Sequence, residues 1–298
     1  SEKYNKIQGG NQNGAKRIRD FGIVPGRVKT GERNAITDVP GIRVGHCTVK
    51  TEENHTGVTV IVPGPDNAFA KHYTAAAYIH NGFGKSAGVV QVEELGTLET
   101  PIALTNTLNV GKVLDAMVEI VIEQCRKDGI EPQSINPVVG ECNDCRINHI
   151  QKRAIGEKEV REAFALASEE FEEGDVGAGA GTTCYGMKGG IGSASRVITI
   201  GEKEYTIGVL VQSNFGATKD FVLNGEAVGP KILEWKQEKS DMAASEEDKG
   251  SIMSILATDL PLTSRQLKRI LKRTGVGIAR TGGYTGHGSG EVMIGFTT

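Results

Sequence analysis

The chain has 298 residues, a formal net charge of −3 and 40 glycines, about 13% of the chain against ~7% in average proteins. The small net charge gives no electrostatic reason to expect nucleic acid or an anionic membrane surface as a partner. The glycines keep no three-residue period, which excludes a collagen-like protein, and no run approaches the ~18 apolar residues of a membrane span.

The predicted elements mix strands and helices in an irregular order along the chain. Residues 1–20 are predicted to form a flexible lead-in, because their Gly- and Asn-rich sequence cannot bury a core. Short apolar segments bounded by turn residues predict strands, and these cover 42–44, 58–62, 196–200, 206–211, 252–257 and 292–296, with a further apolar run at 101–104.

Helical periodicity indicates three helices. Apolar residues at i, i+3 and i+4 spacing predict one helix over 110–128 and a second over 157–173. A third, around Leu267, has Thr263 or Ser264 as its predicted N-cap and Gly275 as its predicted stop.

The pattern as a whole predicts one α+β domain of stacked layers that spans residues 1–298. The charged stretch 236–249 carries almost no core residues and is predicted to be an exposed loop. We find no internal repeat and no linker that divides the chain into two domains.

Three motif fragments suggest a cofactor or a metal but fail on spacing. Residues 84–86 (GKS) lack the glycine that a phosphate-binding loop needs five residues before its second glycine, where Ile79 stands. Residues 177–181 read G-x-G-x-G and follow an acidic segment, unlike a dinucleotide fingerprint. Cys142 and Cys145 form one C-x-x-C pair with no second pair to complete a zinc site. The sequence therefore predicts no cofactor and no bound metal.

The junction of Gly250 and Ser251 has the form that an N-terminal nucleophile requires. A charged segment ends there, and the serine opens an apolar strand. Its hydroxyl could attack the preceding carbonyl, and hydrolysis of the resulting ester would free an α-amine with a pKa of ~8. The glycine has no Cβ, so the carbonyl can be approached. An ordinary turn before a strand is the alternative.

Three further segments carry polar groups that suit such a nucleophile. Ser289 and Glu291 lie two residues apart, on one strand face, and could relay a hydrogen bond. Asn214 follows an apolar strand, where its amide could donate to an oxyanion. Glu141 also follows an apolar run and could hold an ammonium group. Solvated turn or loop side chains are the alternative for each of them.

Together these segments resemble the L-aminopeptidase/D-esterase family, a DmpA-like group that includes β-aminopeptidases. The resemblance rests on motifs that follow one another from residue 17 to the end of the chain. They are TDVPGIRVGH (37–46), GVTVIV (57–62), NGFGKSAG (81–88), TPIALTNTLNVG (100–111), VVGECND (138–144), KGGIGSASR (188–196), IGVLVQSNFG (207–216), GSIMSILATDLPL (250–262) and GSGE (288–291).

The resemblance implies a self-cleaving N-terminal-nucleophile hydrolase with a four-layer αββα sandwich. Cleavage of the bond between Gly250 and Ser251 would give an α chain of residues 1–250 and a β chain of residues 251–298. The resemblance also implies a metal-free enzyme that assembles as a homotetramer of αβ units.

The same resemblance implies a role for each site residue. Ser251 would be the nucleophile and, through its free amine, the general base. Ser289 and Glu291 would polarise and orient it, Asn214 would line the oxyanion hole, and Glu141 would hold the amino group of the substrate.

The chain departs from the family at one position that bears on substrate binding. Where the family usually has a tyrosine that assists the reaction centre, this sequence has Arg146. A guanidinium cannot act as a weak acid as a phenol does, and its charge would repel a substrate ammonium.

The main hypothesis is a serine aminopeptidase or amidase, a protease acting on short peptides, amides or esters that carry a free N-terminal amine. An acyltransferase of the related ornithine acetyltransferase fold, or a non-catalytic amine-binding relative, are the alternatives. Preference for α- or β-amino acids and for L or D configuration stays open, because several separate segments build the pocket.

The N-terminal segment and the cysteines bear on the cellular location. Residues 1–19 are polar and basic with no apolar core, unlike a secretory signal peptide. Five cysteines make an odd number and no dense framework, which favours reduced thiols and a cytoplasmic location. A periplasmic location stays open if a signal peptide has been removed.

Overall fold

The computed structural model describes residues 16–237 and 250–298. Its strands are β1 (Arg43–Lys50), β2 (His55–Val62), β3 (Tyr73–Gly82), β4 (Thr97–Leu98), β5 (Ile102–Asn106), β6 (Val138–Cys142), β7 (Thr183–Cys184), β8 (Met187–Lys188), β9 (Gly190–Ile200), β10 (Lys203–Asn214), β11 (Val222–Leu223), β12 (Glu226–Ala227), β13 (Ser251–Thr258) and β14 (Gly290–Thr297). Its α-helices are α1 (Val89–Leu95), α2 (Val110–Lys127), α3 (Glu157–Ala165), α4 (Gly229–Gln237), α5 (Ser264–Leu271) and α6 (Thr274–Arg280).

Two mixed sheets form the centre of the molecule. One sheet has the strand order β1-β2-β5-β6, and the other has the order β4-β3-β14-β13-β10-β9. The β5–β6 and β13–β14 pairs are parallel, and the other neighbours in both sheets are antiparallel. The remaining short strands form the hairpins β7–β8 and β11–β12.

The alternation of side chains along β13 shows how the layers are built. Met253, Ile255 and Ala257 point into a core shared with the four-stranded sheet. Ile252 and Leu256 point the other way, into a cluster that contains Leu267 and Leu271 of α5 and other residues. Because successive side chains of a strand face opposite sides, an apolar strand of this kind must be covered on both faces.

The helices complete two outer layers. α2 buries Val113, Met117 and Ile120 with Val160 of α3 against the outer face of the four-stranded sheet. α5 covers the outer face of the six-stranded sheet, and its N-cap is Thr263, whose hydroxyl accepts from the backbone N–H of Gln266. The predicted α+β class and αββα sandwich are therefore confirmed. In the described part of the chain, no helix combines the length and apolarity needed to cross a membrane.

Two helix predictions are wrong in their boundaries. The helix predicted over 157–173 ends at Ala165, because Ser168 exchanges two backbone hydrogen bonds with Val44, at 2.9 and 3.0 Å. Gly275 does not stop the third helix, which ends at Leu271, and it lies inside the separate helix α6.

The predicted flexible lead-in and the predicted exposed loop lie partly outside the described residues. Residues 1–15 of the lead-in are outside, but the guanidinium of Arg17 donates to the carbonyls of Arg33 and Asn34 at 2.9 and 2.6 Å, so the lead-in is anchored where it is described. In the predicted loop 236–249, the first two residues belong to α4, and residues 238–249 lie outside.

Candidate active site

Ser251 lies where three strands of the six-stranded sheet meet. It is the first residue of β13, opposite Asn214 at the end of β10 and opposite Gly290 at the start of β14. It is only 5% exposed, and its side chain faces the other sheet, like Met253 two residues later. The strand pairing therefore brings two sequence-predicted site segments directly to the predicted nucleophile.

The amide of Asn214 is held in one orientation beside the hydroxyl. Its Oδ1 accepts from the backbone N–H of Thr183 at 3.1 Å. Its Nδ2 therefore faces the site, where it donates to the Oγ of Ser251 at 3.2 Å and to the carbonyl of Asn143 at 2.9 Å. A fixed amide donor of this kind is suited to stabilising an oxyanion.

The opposite sheet supplies a second donor that sequence reasoning missed. The backbone N–H of Asn143, just beyond β6, donates to the Oγ of Ser251 at 3.4 Å. A backbone N–H has no signature in the sequence. The available signal was that Asn143 lies two residues after the predicted Glu141. Cys142, the preceding residue, is fully buried, and burial raises the pKa of its thiol, which keeps the thiol protonated beside the serine.

The peptide before the serine is held at both of its sides. The carbonyl of Gly250 accepts from the backbone N–H of Gly290 at 3.0 Å. A Cβ on Gly250 would lie 2.9 Å from the Cβ of Phe215, so a larger residue would displace this peptide.

Ser289 and Glu291 form a buried pair next to this peptide. The hydroxyl of Ser289 donates to Oε1 of Glu291, and the two residues are 3% and 2% exposed. The register between β14 and β3 shifts directly after Glu291. The side chain of Asn81 on β3 donates to the carbonyls of Gly286, at 3.0 Å, and of Ser289. Asn81 is thus a second residue whose contact was missed, although it lies within one of the matched motifs.

Glu141 is a buried carboxylate at the end of β6. Its Oε1 accepts from the backbone N–H of Lys85 at 2.9 Å, and its Oε2 accepts from the hydroxyl of Thr107. It is 5% exposed. Neither of these donors carries a charge, so both hold the carboxylate in place without neutralising it.

Arg146 is exposed to solvent on the turn that follows Asn143. Cys145 on the same turn is also exposed, whereas Cys142 is buried, so the C-x-x-C pair does not point to one site. Within residues 16–237 and 250–298, no group of three or more His, Cys, Asp or Glu side chains is placed to hold a metal.

Glycines make close backbone approaches both beside the serine and away from it. A Cβ on Gly290 would lie 2.7 Å from the carbonyl oxygen of Phe83, beside the site. A Cβ on Gly179 would lie 2.4 Å from the backbone nitrogen of Ile191, where the segment 177–181 crosses β9. The second approach belongs to the packing of the two sheets rather than to the surroundings of Ser251.

Comparison with known proteins identifies the family. The sequence model of Peptidase family S58 matches residues 34–298. The chain belongs to peptidase family S58. β-Peptidyl aminopeptidase BapA of Sphingosinicella xenopeptidilytica is 36% identical in a match that covers 95% of this chain and 73% of the relative.

Solved structures of two aminopeptidases share the fold. A Burkholderia β-aminopeptidase superposes with a TM-score of 0.85 at 38% identity, covering 95% of this chain and 78% of that one. The L-aminopeptidase D-Ala-esterase/amidase of Ochrobactrum anthropi superposes with a TM-score of 0.83 at 33% identity, covering 94% and 78%. That structure is described as a prototype of the serine aminopeptidases and a variant of the Ntn hydrolase fold.

These matches confirm the predicted family resemblance, the N-terminal-nucleophile hydrolase fold and the enzyme class. The S58 chain is a serine aminopeptidase or amidase, and the acyltransferase and non-catalytic alternatives are not favoured.

Proposed function

We propose that this serine aminopeptidase cleaves amide and ester bonds next to a residue with a free N-terminal amine, through an acyl-enzyme on Ser251. The observation that carries the proposal is the convergence of the Asn214 amide and the Asn143 N–H on the Ser251 hydroxyl, at 3.2 and 3.4 Å. Two donors from two different sheets meet at one buried oxygen.

Attack by Ser251 would place the oxyanion next to these two donors. The substrate carbonyl carbon bonds to Oγ, and its oxygen then takes the hydrogen bonds of the Asn214 amide and the Asn143 N–H. Both groups are fixed before substrate arrives, so they need little reorganisation as charge develops.

The free α-amine of Ser251 is the proposed general base. It would accept the hydroxyl proton as the bond to the substrate forms and pass a proton to the leaving amine. The hydroxyl of Ser289 donates its hydrogen to Glu291. The lone pairs of the Ser289 oxygen can therefore accept a hydrogen bond from this amine. The buried pair therefore suits the role of orienting the base.

Glu141 is the proposed binding group for the substrate ammonium. Among the described residues no basic side chain forms an ion pair with it, and its two neutral donors keep its oxygens fixed. A buried carboxylate in this state gains most from a cation of the ligand. Arg146, on the neighbouring turn, would oppose that cation and weaken binding at low salt.

Autocatalytic cleavage between Gly250 and Ser251 is the proposed maturation step. The serine oxygen would attack the Gly250 carbonyl carbon, an N-to-O acyl shift would give an ester, and water would release the carboxylate of Gly250 and the amine of Ser251. The hydrogen bond from Gly290 to this carbonyl, at 3.0 Å, supports the step because it can stabilise the developing oxyanion.

We further propose short peptides, amides and esters as substrates, a homotetramer of αβ units, and a cytoplasmic location. All five cysteines are free thiols, which supports a reducing compartment. Nucleic acid and membranes are not among the proposed partners.

The test of the proposed function compares two serines of the same strand. Ser251 is 5% exposed and faces the site, whereas Ser254 is 2% exposed and faces the opposite side of the sheet. With an aminoacyl p-nitroanilide, Ser251→Ala should lose at least ~10³-fold in kcat, and Ser254→Ala should keep kcat within about threefold in its folded fraction. Retained turnover in Ser251→Ala would overturn the proposal.

A further inference from the structure

The turn that touches the nucleophile contains a buried carboxylate with no assigned role. Asp144 is 1% exposed and directly follows Asn143, whose backbone N–H donates to the Oγ of Ser251. Asp144 accepts from the hydroxyl of Thr56 at 2.6 Å and from Nδ2 of Asn148 at 2.9 Å. Only uncharged donors hold it among the described residues.

The hydrogen bonds around Asp144 run in one direction. Nδ2 of Asn106 donates to the Thr56 oxygen at 2.8 Å, so the Thr56 hydrogen is turned toward Asp144. Oδ1 of Asn148 accepts from Nδ2 of Asn54 at 2.9 Å, so the NH₂ of Asn148 is turned toward Asp144. Both chains of donors end on the carboxylate, which must act as a pure acceptor.

This network joins the turn to two other segments of the chain. The donors come from the start of β2, from the end of β5 and from the turn itself. Gly181 packs closely against the same carboxylate residue. A Cβ on Gly181 would lie 2.7 Å from the Cβ of Asp144 and 2.3 Å from the carbonyl oxygen of His55. The turn therefore has little room to move.

The fixed turn sets the position of both backbone groups of Asn143. Its N–H donates to Ser251 at 3.4 Å, and its carbonyl accepts from the Asn214 amide at 2.9 Å. A shift of the turn would move one proposed oxyanion donor and release the other.

We propose that Asp144 is a positioning residue for the reaction: as the common acceptor of this network, it holds Asn143 at the oxyanion position. The inference rests on the proposed function of Ser251. It predicts an effect on the chemical step rather than on binding of the substrate amine. The proposed amine-binding group, Glu141, is held in place by other contacts, from Lys85 and Thr107.

The test uses Asp144→Asn, which keeps the size of the side chain but replaces one acceptor by a donor. The NH₂ group then faces a donor of Thr56 or Asn148, and the turn must shift. Removal of one oxyanion donor costs ~10²–10³-fold in kcat, and we expect about a 10- to 100-fold loss for a displaced one. KM for an aminoacyl p-nitroanilide should stay within about twofold.

A charge-swap variant separates positioning from general structural damage. In Asp144→Asn combined with Asn148→Asp, the new carboxylate accepts from Asn54, from the His55 N–H and from the amide at position 144, whose oxygen again accepts from Thr56. The direction of the donors is restored, so kcat should recover at least about tenfold over the single variant. Thr56→Val, which removes one donor and no charge, should lower kcat in the same direction if the single variant does not fold.

Asp38→Asn is the matched control. Asp38 accepts from the hydroxyl of Ser195 at 2.6 Å and from the backbone N–H groups of Arg33 and Ala35 at 2.9 and 3.1 Å. Ser195 pairs with Gly208 of β10, which in turn pairs with Ala257 of β13. Ala257 is six residues from Ser251 along β13, a separation of about 20 Å. This variant should lose stability in urea without losing kcat in its folded fraction.

Two results would overturn the inference. One is an unchanged kcat in folded Asp144→Asn and in Thr56→Val while Ser251→Ala is inactive. The other is a loss of kcat that the charge swap does not relieve. Activity retained in Ser251→Ala would instead overturn the proposed function itself, so the two failures are distinguishable.

Discussion

The hydroxyl of Ser251 receives hydrogen bonds from an amide side chain and from a backbone N–H, and only the first was visible in the sequence. The sequence predicts Asn214 because an amide at the end of an apolar strand can donate to an oxyanion and because the family resemblance implies that role. Asn143 was not predicted as a donor, because every residue has a backbone N–H and only the packing of two sheets decides which one matters.

The proposed ammonium site makes a prediction about substrate charge. Glu141→Gln should raise KM for an amine substrate about 10- to 100-fold, because a charge-assisted hydrogen bond contributes ~1.5–3 kcal/mol. The measurement is kcat and KM for an aminoacyl p-nitroanilide and its N-acetylated form. The preference for the free amine should shrink in the variant.

Glu99→Gln is the matched control for that measurement. Glu99 is also buried and accepts from the Asn136 N–H at 2.7 Å and from the side chain of Gln91 at 2.9 Å. It precedes β5, whereas Glu141 is paired with Thr105 near the far end of that strand. An equal rise in KM for both variants would contradict the assignment of Glu141.

His46 makes stability depend on pH. Burial lowers the pKa of His46 to about 4, and the neutral ring contacts Thr59 at 2.8 Å and the Glu172 carbonyl at 2.9 Å. The unfolded chain, with a histidine pKa of ~6.5, binds the proton first as pH falls. Stability should therefore drop by up to about 3 kcal/mol between pH ~6.5 and ~4.

Urea unfolding across this pH range checks the prediction. His46→Gln should flatten the dependence, although its stability at pH 7 should be lower because two hydrogen bonds are lost. A wild-type stability that stays constant from pH 7 to pH 4 would contradict the assignment.

At the scale of elements, apolar periodicity predicted the existence of helices better than their ends. α2 was predicted closely because its buried residues keep one helical face for 18 residues. The helix predicted over 157–173 was too long, because Phe171 continues the apolar spacing by chance while Ser168 pairs with β1. A tertiary backbone contact of this kind has no signature in the local pattern.

Alanine substitutions at two glycines, one in α2 and one on β1 against α3, should change the free energy of unfolding in opposite directions. Gly111 lies in the first turn of α2, where a Cβ would meet nothing within 4 Å, so Gly111→Ala should stabilise the protein by about 0.5–1 kcal/mol. On β1, a Cβ at Gly45 would lie 1.9 Å from the Ala163 carbonyl oxygen of α3, so Gly45→Ala should destabilise by about 1–3 kcal/mol. Urea midpoints of the two variants, compared with wild type, give the sign of each change. Stabilisation by Gly45→Ala would contradict the packing of α3 on β1, and destabilisation by Gly111→Ala would contradict the open space at that position.

At the scale of the whole molecule, the proposed cleavage would give two chains that both contribute strands to the six-stranded sheet. Residues 251–298 supply β13 and β14, which lie between β10 and β3 in the middle of the six-stranded sheet. Alone, residues 251–298 would lack β10 and β3, and would expose both edges of the β13–β14 pair and the face that packs on the other sheet. The two proposed chains should therefore stay bound after cleavage and separate only on denaturation.

The intact mass of the purified protein under denaturing conditions tests the central claim most directly. Wild type should give two species, residues 1–250 and residues 251–298, that elute together in native size-exclusion chromatography. Ser251→Ala should give one uncleaved and inactive chain. A wild-type protein that is fully active as a single chain, or a Ser251→Ala protein cleaved after Gly250, would contradict the account.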